Sequence, residues 1–132
     1  MLLAASASAG TGAGAGAQAA GPPVISLQDK TFGAILARRD HQALYYWAVE
    51  KKARGQIRCV GECAKLWPPL VVKSAKAVPK QIAGIKGTFG VVRRPDGRLQ
   101  VTHRGLPVYT YVHEGPNQVL CDNVDGWFVV RL

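Results

Sequence analysis

The sequence is poor in acidic residues and has no long hydrophobic run. Its 132 residues include 8 Asp and Glu against 17 Lys and Arg, which gives a formal net charge of +9. No charged residue precedes Asp29, and no acid lies between Cys63 and Pro95. The apolar stretch at the N-terminus is too short to cross a bilayer, so we expect no transmembrane span. A chain of this length predicts a single domain.

The first 19 residues are rich in Ala, Gly, Ser and Thr, and we interpret them as a signal peptide. Ala17-Gln18-Ala19 is typical of a cleavage site, although no basic residue precedes the apolar stretch. The alternative is an uncleaved Ala/Gly leader. We expect export to the periplasm or the extracellular side, with membrane association left open, and a linker over residues 20–30.

Short β-rich segments separated by turn residues fill the rest of the chain. The clearest turn is Pro95-Asp96-Gly97, because proline presets φ and glycine takes positive φ. A single short helix is predicted near 61–67, and Pro68 and Pro69 end it. The first two segments, joined by a polar turn at 39–42, form a predicted hairpin. The predicted strands are 31–38, 43–49, 89–93, 98–102, 107–112 and 127–131. This pattern indicates a small, mainly β, antiparallel domain over residues 31–132.

One motif occurs twice, as Tyr45-x-Trp47-x-x-Glu50 and as Tyr109-x-Tyr111-x-x-Glu114, 64 positions apart. Side chains alternate along a strand, so the two aromatics of each copy share one face. The acid stands at an odd offset, which predicts a bulge or a strand end before it. We therefore expect two related halves, 31–72 and 87–132, with pseudo-twofold symmetry and a basic connector between them.

The six motif residues are the candidate ligand-binding residues: Tyr45, Trp47, Glu50, Tyr109, Tyr111 and Glu114. Exposed aromatic side chains on adjacent strands could form a contact surface. The alternative is that the aromatics are core or cross-strand pairs. On that interpretation, the acids cap turns or pair with a neighbour such as Arg54.

Three cysteines occur, and the pair Cys59 and Cys63 favours a structural disulfide. Gly61 between them makes the necessary turn easy. A thiol–disulfide enzyme usually has two intervening residues rather than three, and a zinc site needs a second ligand pair. The odd count leaves Cys121 free.

The acid-free connector carries several lysines, which favours a solvated surface. The alternative is a patch for an anionic polymer or for lipid headgroups. Nucleic acid is disfavoured as a partner, because the lysines lack interleaved aromatics and belong to no helical DNA-reading motif. The sequence holds no recognisable catalytic constellation, and it indicates no cofactor and no metal.

Several motifs over residues 33–132 resemble a bacterial family of predicted lipoproteins with a conserved Y-x-[FWY]-x-x-D motif, also described as a secreted repeat of unknown function. The most specific is the block from Cys59 through Cys63 and Trp67 to Leu70. The other carriers are Leu44–Trp47, Arg94–Thr102, Gly105–Tyr111 and Gly126–Val130. Both acids are Glu where the family favours Asp, and no lipobox cysteine is present.

The resemblance implies an exported or lipid-anchored protein of the cell envelope. We therefore expect a non-enzymatic binding or structural module with an unidentified envelope partner. The main alternative is a redox or electron-transfer accessory protein, which would use Cys59 and Cys63 or a cofactor held in an aromatic cleft.

Overall fold

The computed structural model of the protein describes residues 21–132, and short antiparallel strands dominate it. The elements are β1 (Val24–Asp29), β2 (Gly33–Arg38), β3 (Tyr45–Trp47), α1 (Ala48–Lys52), α2 (Glu62–Leu66), β4 (Val71–Val72), a 3₁₀ turn (Ala75–Ala77), β5 (Phe89–Arg93), β6 (Leu99–His103), β7 (Leu106–Pro107) and β8 (Trp127–Val129). The predicted mainly β class is confirmed. The expected signal peptide lies outside the described residues.

Two hairpins frame the fold, and the first differs from the predicted one. Strand β2 pairs antiparallel with β1, so residues 24–29 belong to the sheet, and the prediction of a linker there was wrong. Val24 is buried, and the Asp29 carboxylate accepts hydrogen bonds from the N–H groups of Thr31 (2.8 Å) and Phe32 (3.0 Å). This side-chain cap stabilises the turn between the strands.

The second hairpin has the turn that its sequence predicts. Strands β5 and β6 pair antiparallel around Pro95-Asp96-Gly97, and Gly97 has a φ of 90°. Strand β6 also pairs with β4 and with β7. Strand β6 is therefore the centre of the largest sheet.

Strand β3 finds its main partner at the far end of the chain. The polar turn at 39–42 forms as predicted, and a bridge between Ala37 and Ala43 follows it. Strand β3 then pairs with β8 rather than extending the β2 hairpin. The pairing places Tyr45 opposite Val129 and Trp47 opposite Trp127.

The buried apolar residues form two clusters on opposite faces of these strands. The aliphatic cluster contains Val24, Leu36, Leu44, Leu70, Val78, Phe89, Val101, Val108 and Val130. The aromatic cluster contains Ile35, Ala43, Tyr45, Cys59, Trp67, Tyr109, Cys121, Trp127 and Val129. The strand β2 contributes Leu36 to one cluster and Ile35 to the other, as the alternation of side chains along a strand requires.

Two short helices are present where the sequence predicted one. Helix α2 confirms the predicted helix, whereas α1 was missed because five residues that follow directly on a β-rich segment give no helical periodicity. Helix α1 begins at Ala48, so the chain leaves the extended conformation before Glu50, as the odd offset of the acid predicted. No helix within residues 21–132 is long and apolar enough to cross a membrane.

The Cys59–Cys63 disulfide is present, and its Cα atoms are 5.1 Å apart. Gly61, with a φ of 61°, allows the chain to turn between them. Cys59 is fully buried against the aromatic cluster, and Cys121 is free and buried. The predicted pairing is confirmed.

We expect the double substitution Cys59→Ser with Cys63→Ser to lower the free energy of unfolding by about 2 kcal/mol, because a five-residue loop is no longer closed in the unfolded chain. Urea denaturation of this variant and of Cys121→Ser would measure the change. An equal or larger loss in Cys121→Ser would show that burial of the sulfur, and not the cross-link, carries the effect.

Candidate functional site

The six predicted residues lie together around the contact between β3 and the segment that follows β7. Tyr45, Glu50, Tyr109 and Glu114 are buried, with 7% or less of each residue exposed. Trp47 and Tyr111 are half-buried. The structure therefore brings all six into one cluster but leaves only the two outer aromatics accessible.

The two tyrosines pair reciprocally through their backbones. The Tyr45 N–H donates to the Tyr109 carbonyl at 2.8 Å, and the Tyr109 N–H donates to the Tyr45 carbonyl at 2.9 Å. This doubly bonded antiparallel pair sits at the centre of the cluster and joins the two copies of the motif.

The tyrosine side chains are also paired reciprocally, because each hydroxyl donates to the acid of the other motif copy. The Tyr109 hydroxyl donates to Oε2 of Glu50 at 2.7 Å, and the Tyr45 hydroxyl donates to Oε2 of Glu114. Each tyrosine thus uses the acid of the other motif rather than its own. Each buried acid therefore takes its hydroxyl donor from the other copy of the motif.

Each acid also closes the loop that follows it. Oε2 of Glu50 accepts the N–H groups of Arg58 (2.8 Å) and Cys59 (3.0 Å), and Oε2 of Glu114 accepts the N–H of Leu120 (2.7 Å). The Cys121 N–H donates to the Tyr45 hydroxyl at 3.3 Å. The acids therefore accept from backbone donors of the loops that follow them, of which the Cys59 N–H is buried. Arg54, the suggested partner of an acid, makes no ion pair with any described residue.

Three indole rings stack in one column through the centre of the cluster, and the tilted ring of Tyr111 extends it. In order, the four rings are those of Trp47, Trp127, Trp67 and Tyr111, with successive centroids 5.1, 3.9 and 4.7 Å apart. The edges of the column are covered by Tyr45 against Trp67 and by Tyr109 against Trp127, at 5.1 and 5.2 Å. Stacked and edge-to-face pairs of this kind stabilise a core beyond the burial of their area.

The column has a pseudo-twofold arrangement, and so do the backbone hydrogen bonds around it. Eight of these bonds form four pairs, and exchanging the two motif copies converts one bond of each pair into the other. In each bond the first residue donates its N–H to the carbonyl of the second. The bond from Ala48 to Gly126 matches that from Val112 to Leu66, and the bond from Leu44 to Leu36 matches that from Val108 to Val101. The bond from Val130 to Leu44 matches that from Leu70 to Val108, and the bond from Leu36 to Val130 matches that from Val101 to Leu70. The flanking strands on both sides of the motif therefore make the same connections.

A buried arginine holds the loop that Glu50 closes. Arg94 is 3% exposed, and its guanidinium donates to Gln100 Oε1 and to the Cys59 carbonyl, both at 2.7 Å. The backbone of Cys59 is thereby held by Arg94 at its carbonyl and by Glu50 at its N–H. Among residues 21–132, neither Glu50 nor Glu114 forms an ion pair.

Burial shifts the protonation equilibria of the cluster. It raises the pKa of Tyr45 and of Tyr109 far above the usual range of a phenol, and the hydrogen bonds to Glu114 and Glu50 add to the shift. Burial raises the pKa of the Glu114 carboxyl, against the opposing effect of the Tyr45 hydrogen bond. Burial also raises the pKa of the Cys121 thiol, which keeps it protonated and poorly reactive.

The geometry gives Tyr45, Tyr109 and the two acids a structural role in holding the motifs together. Ligand binding stays a prediction, and on the accessible surface it concerns Trp47 and Tyr111. The sequence did not predict three residues that contact the six candidates: Trp67, Trp127 and Arg94. The two tryptophans are 60 positions apart, so a comparison of the halves at the motif offset of 64 does not align them.

The disulfide packs into the aromatic cluster through Cys59, whereas the apolar residues of the basic connector pack on the aliphatic cluster. Neither cysteine lines any of the four main clefts of the described residues. The connector lysines Lys73, Lys76, Lys80 and Lys86 are exposed and make no ion pair with described residues.

Comparison with known proteins gave no match: no protein-family model, no curated protein and no solved structure matches the chain. The resemblance to the family of lipoproteins with the Y-x-[FWY]-x-x-D motif therefore stays a prediction.

We expect Tyr45→Phe and Tyr109→Phe each to lower the free energy of unfolding by about 1–3 kcal/mol, because each leaves a buried acid without its hydroxyl donor. Tyr46→Phe is the matched control, since the Tyr46 hydroxyl makes no hydrogen bond to a described residue. Urea denaturation at pH 7 measures all three. A loss in Tyr46→Phe as large as in the other two would contradict the assignment.

The raised pKa of Glu114 predicts a pH-dependent contribution to stability. The folded state holds the Glu114 proton more tightly than the unfolded state does. The Glu114 carboxyl therefore stabilises the fold fully below its pKa in the unfolded chain, near 4.5, and this stabilisation is lost as pH rises through its pKa in the folded protein. Glu114→Gln keeps an acceptor for Tyr45 but does not titrate.

The free energy of unfolding of the native protein, relative to that of Glu114→Gln, should therefore fall as pH rises above about 4.5. Thermal or urea unfolding across this pH range tests it. A difference that rises with pH would mean that burial does not dominate the Glu114 carboxyl.

Proposed function

We propose that this protein is an exported, non-enzymatic binding or structural module of the cell envelope. The observation that carries the proposal is the Cys59–Cys63 disulfide beside a buried, unreactive Cys121. Structural disulfides persist in oxidising compartments and are rare in the cytosol. The signal-peptide-like leader and the family resemblance point to the same location.

The matched contacts around the aromatic column support an internal repeat. We infer that the two halves are related units that share the pairs Tyr45 with Tyr109, Glu50 with Glu114, and Trp67 with Trp127. The buried hydroxyl–acid bonds between the copies favour a rigid module. The rigid core then presents the outer rings of Trp47 and Tyr111 to a partner.

A second candidate is an electron-transfer accessory role, and the column of Trp47, Trp127, Trp67 and Tyr111 is the observation that favours it. Closely stacked indoles provide a continuous aromatic path between two half-buried ends of the molecule. Against the version of this role that uses the cysteines, the disulfide opens on no described cleft. We therefore favour the module.

The exposed lysines of the connector supply a further contact for anionic envelope components. Exposed charges attract a polyanion through a long-range field that salt screens within about 8–10 Å. Contacts of this kind add affinity without defining a partner, so we assign specificity to the aromatic ends of the column.

The test is to isolate the protein from its own cells and compare variants in the envelope fraction. We expect a mature N-terminus near Ala20 and a weaker envelope association for Trp47→Ala than for Cys63→Ser, once both variants are shown to be folded. Trp47 is half-buried and its Nε1 donates to the exposed Asp125 carbonyl at 3.1 Å, so its removal alters the surface.

Two results would overturn the proposal. An intact Met1 in a cytosolic fraction would exclude export. Loss of association in Cys63→Ser, with Trp47→Ala unaffected, would favour the redox alternative instead.

A further inference from the structure

The face of the β3–β8 pair that points away from the aromatic column forms the floor of an open cleft of about 570 Å³. Tyr46 and Phe128 stand opposite each other in the register, with rings stacked at 5.6 Å between centroids and 23° between planes. Leu106, Val108 and Val130 continue the apolar wall. The size is within the range of small-molecule sites in proteins.

Cations dominate the rim of this cleft. Lys51, Arg104 and Arg131 line it, and Asp122 is the one acid among the lining residues. Asp122 is already neutralised, because its Oδ2 accepts from Arg131 at 2.6 Å and its Oδ1 accepts from the Val129 N–H at 3.1 Å. The cleft therefore keeps two cations, Lys51 and Arg104, that form no ion pair with any described residue.

Lys51 is directed at the aromatic floor rather than away from it. Its Nζ lies 5.7 Å from the centroid of the Tyr46 ring, and helix α1 carries it to this position directly after β3. A ligand that packed against the Tyr46–Phe128 pair would thus lie near a positive charge. Cation and ring together favour a flat ligand that carries a negative charge.

The other half of the molecule lacks this cleft although it has the same buried skeleton. The positions that correspond to Tyr46, Phe128 and Lys51 are occupied by Thr110, Pro68 and Gly115, which offer neither a ring floor nor a cation. The reciprocal core does not require the aromatic pair or the lysine, because the other half satisfies the same hydrogen bonds without them. The cleft is an addition to the skeleton on one side only.

We propose that this cleft is a binding site for a small organic anion with a flat ring system, whose ring packs on Tyr46 and Phe128 and whose anionic group is bound by Lys51 and Arg104. This site is separate from the contact surface at Trp47 and Tyr111, and it does not depend on where the protein is located. It adds a ligand class to the proposed binding module.

The test compares two probes of nearly equal shape, 2-naphthoate and the neutral 2-naphthamide, by calorimetry and by amide chemical-shift mapping at 0.15 M salt. We expect the native protein to bind the carboxylate about tenfold more tightly than the amide, since charge-assisted hydrogen bonds are roughly twice as strong as neutral ones. Shifts should concentrate at Tyr46, Lys51, Arg104 and Phe128.

Substitutions separate the site from the general positive charge of the protein. Lys51→Gln and Arg104→Gln should each reduce the preference for the carboxylate several-fold, and Tyr46→Leu should weaken both probes. Lys76→Gln replaces an exposed connector lysine and is the matched control. It should change neither the preference for the carboxylate nor the affinity for either probe.

Three results would overturn the proposal. They are equal affinity of the native protein for the two probes, no binding of either probe at millimolar concentration, and a loss in Lys76→Gln equal to that in Lys51→Gln. An unchanged envelope association of Lys51→Gln leaves the proposed function intact, so the two proposals can fail independently.

Discussion

The reciprocal pairing of Tyr45 with Glu114 and of Tyr109 with Glu50 is the interaction on which the rest of the structure depends. A buried carboxyl requires hydrogen bonds, and each motif takes its hydroxyl donor from the other copy. These bonds fix how the two motif copies approach each other, together with the doubly bonded Tyr45–Tyr109 backbone pair and the β3–β8 pairing. Once the approach is fixed, the tryptophans that follow each motif must meet, and they form the centre of the aromatic column.

The two faces of the β3–β8 pair differ. The residues on the inner face have equivalents around the other motif copy, and the aromatic residues on the outer face do not. On its inner face, Trp127 belongs to the column and Tyr45 covers the column's edge against Trp67, as Tyr109 does against Trp127. On its outer face, Tyr46 and Phe128 have no aromatic counterpart. Strand geometry makes this separation possible, because neighbouring residues point to opposite faces and can change independently of each other.

Local features could be predicted from the sequence, and distant partners could not. The Pro95-Asp96-Gly97 turn, the short helix before Trp67 and the Cys59–Cys63 disulfide all depend on neighbouring residues with known preferences. The hydroxyl–acid bonds join residues 69 and 59 positions apart, and nothing in either motif indicates that it exchanges partners with the other. Two predictions failed because strand partners could not be identified. The segment of β1 was predicted as a linker, although it pairs with β2 across a capped turn, and β3 was predicted to pair with β2, although its main partner is β8 at the end of the chain. Pairing at long range is decided by packing and not by local pattern.

Tyr45 and Tyr109 join the two motif copies into one cooperative unit, because each buried acid takes its hydroxyl donor from the other copy. Native-state hydrogen exchange of the Tyr45 and Tyr109 amides tests this most directly, because these N–H groups form the reciprocal backbone pair. Both amides should exchange only through global unfolding, with the same free energy of opening and the same dependence on denaturant. Exchange of one amide through a partial opening, while the other stays protected to the global limit, would show that one half folds without the other and would contradict the account.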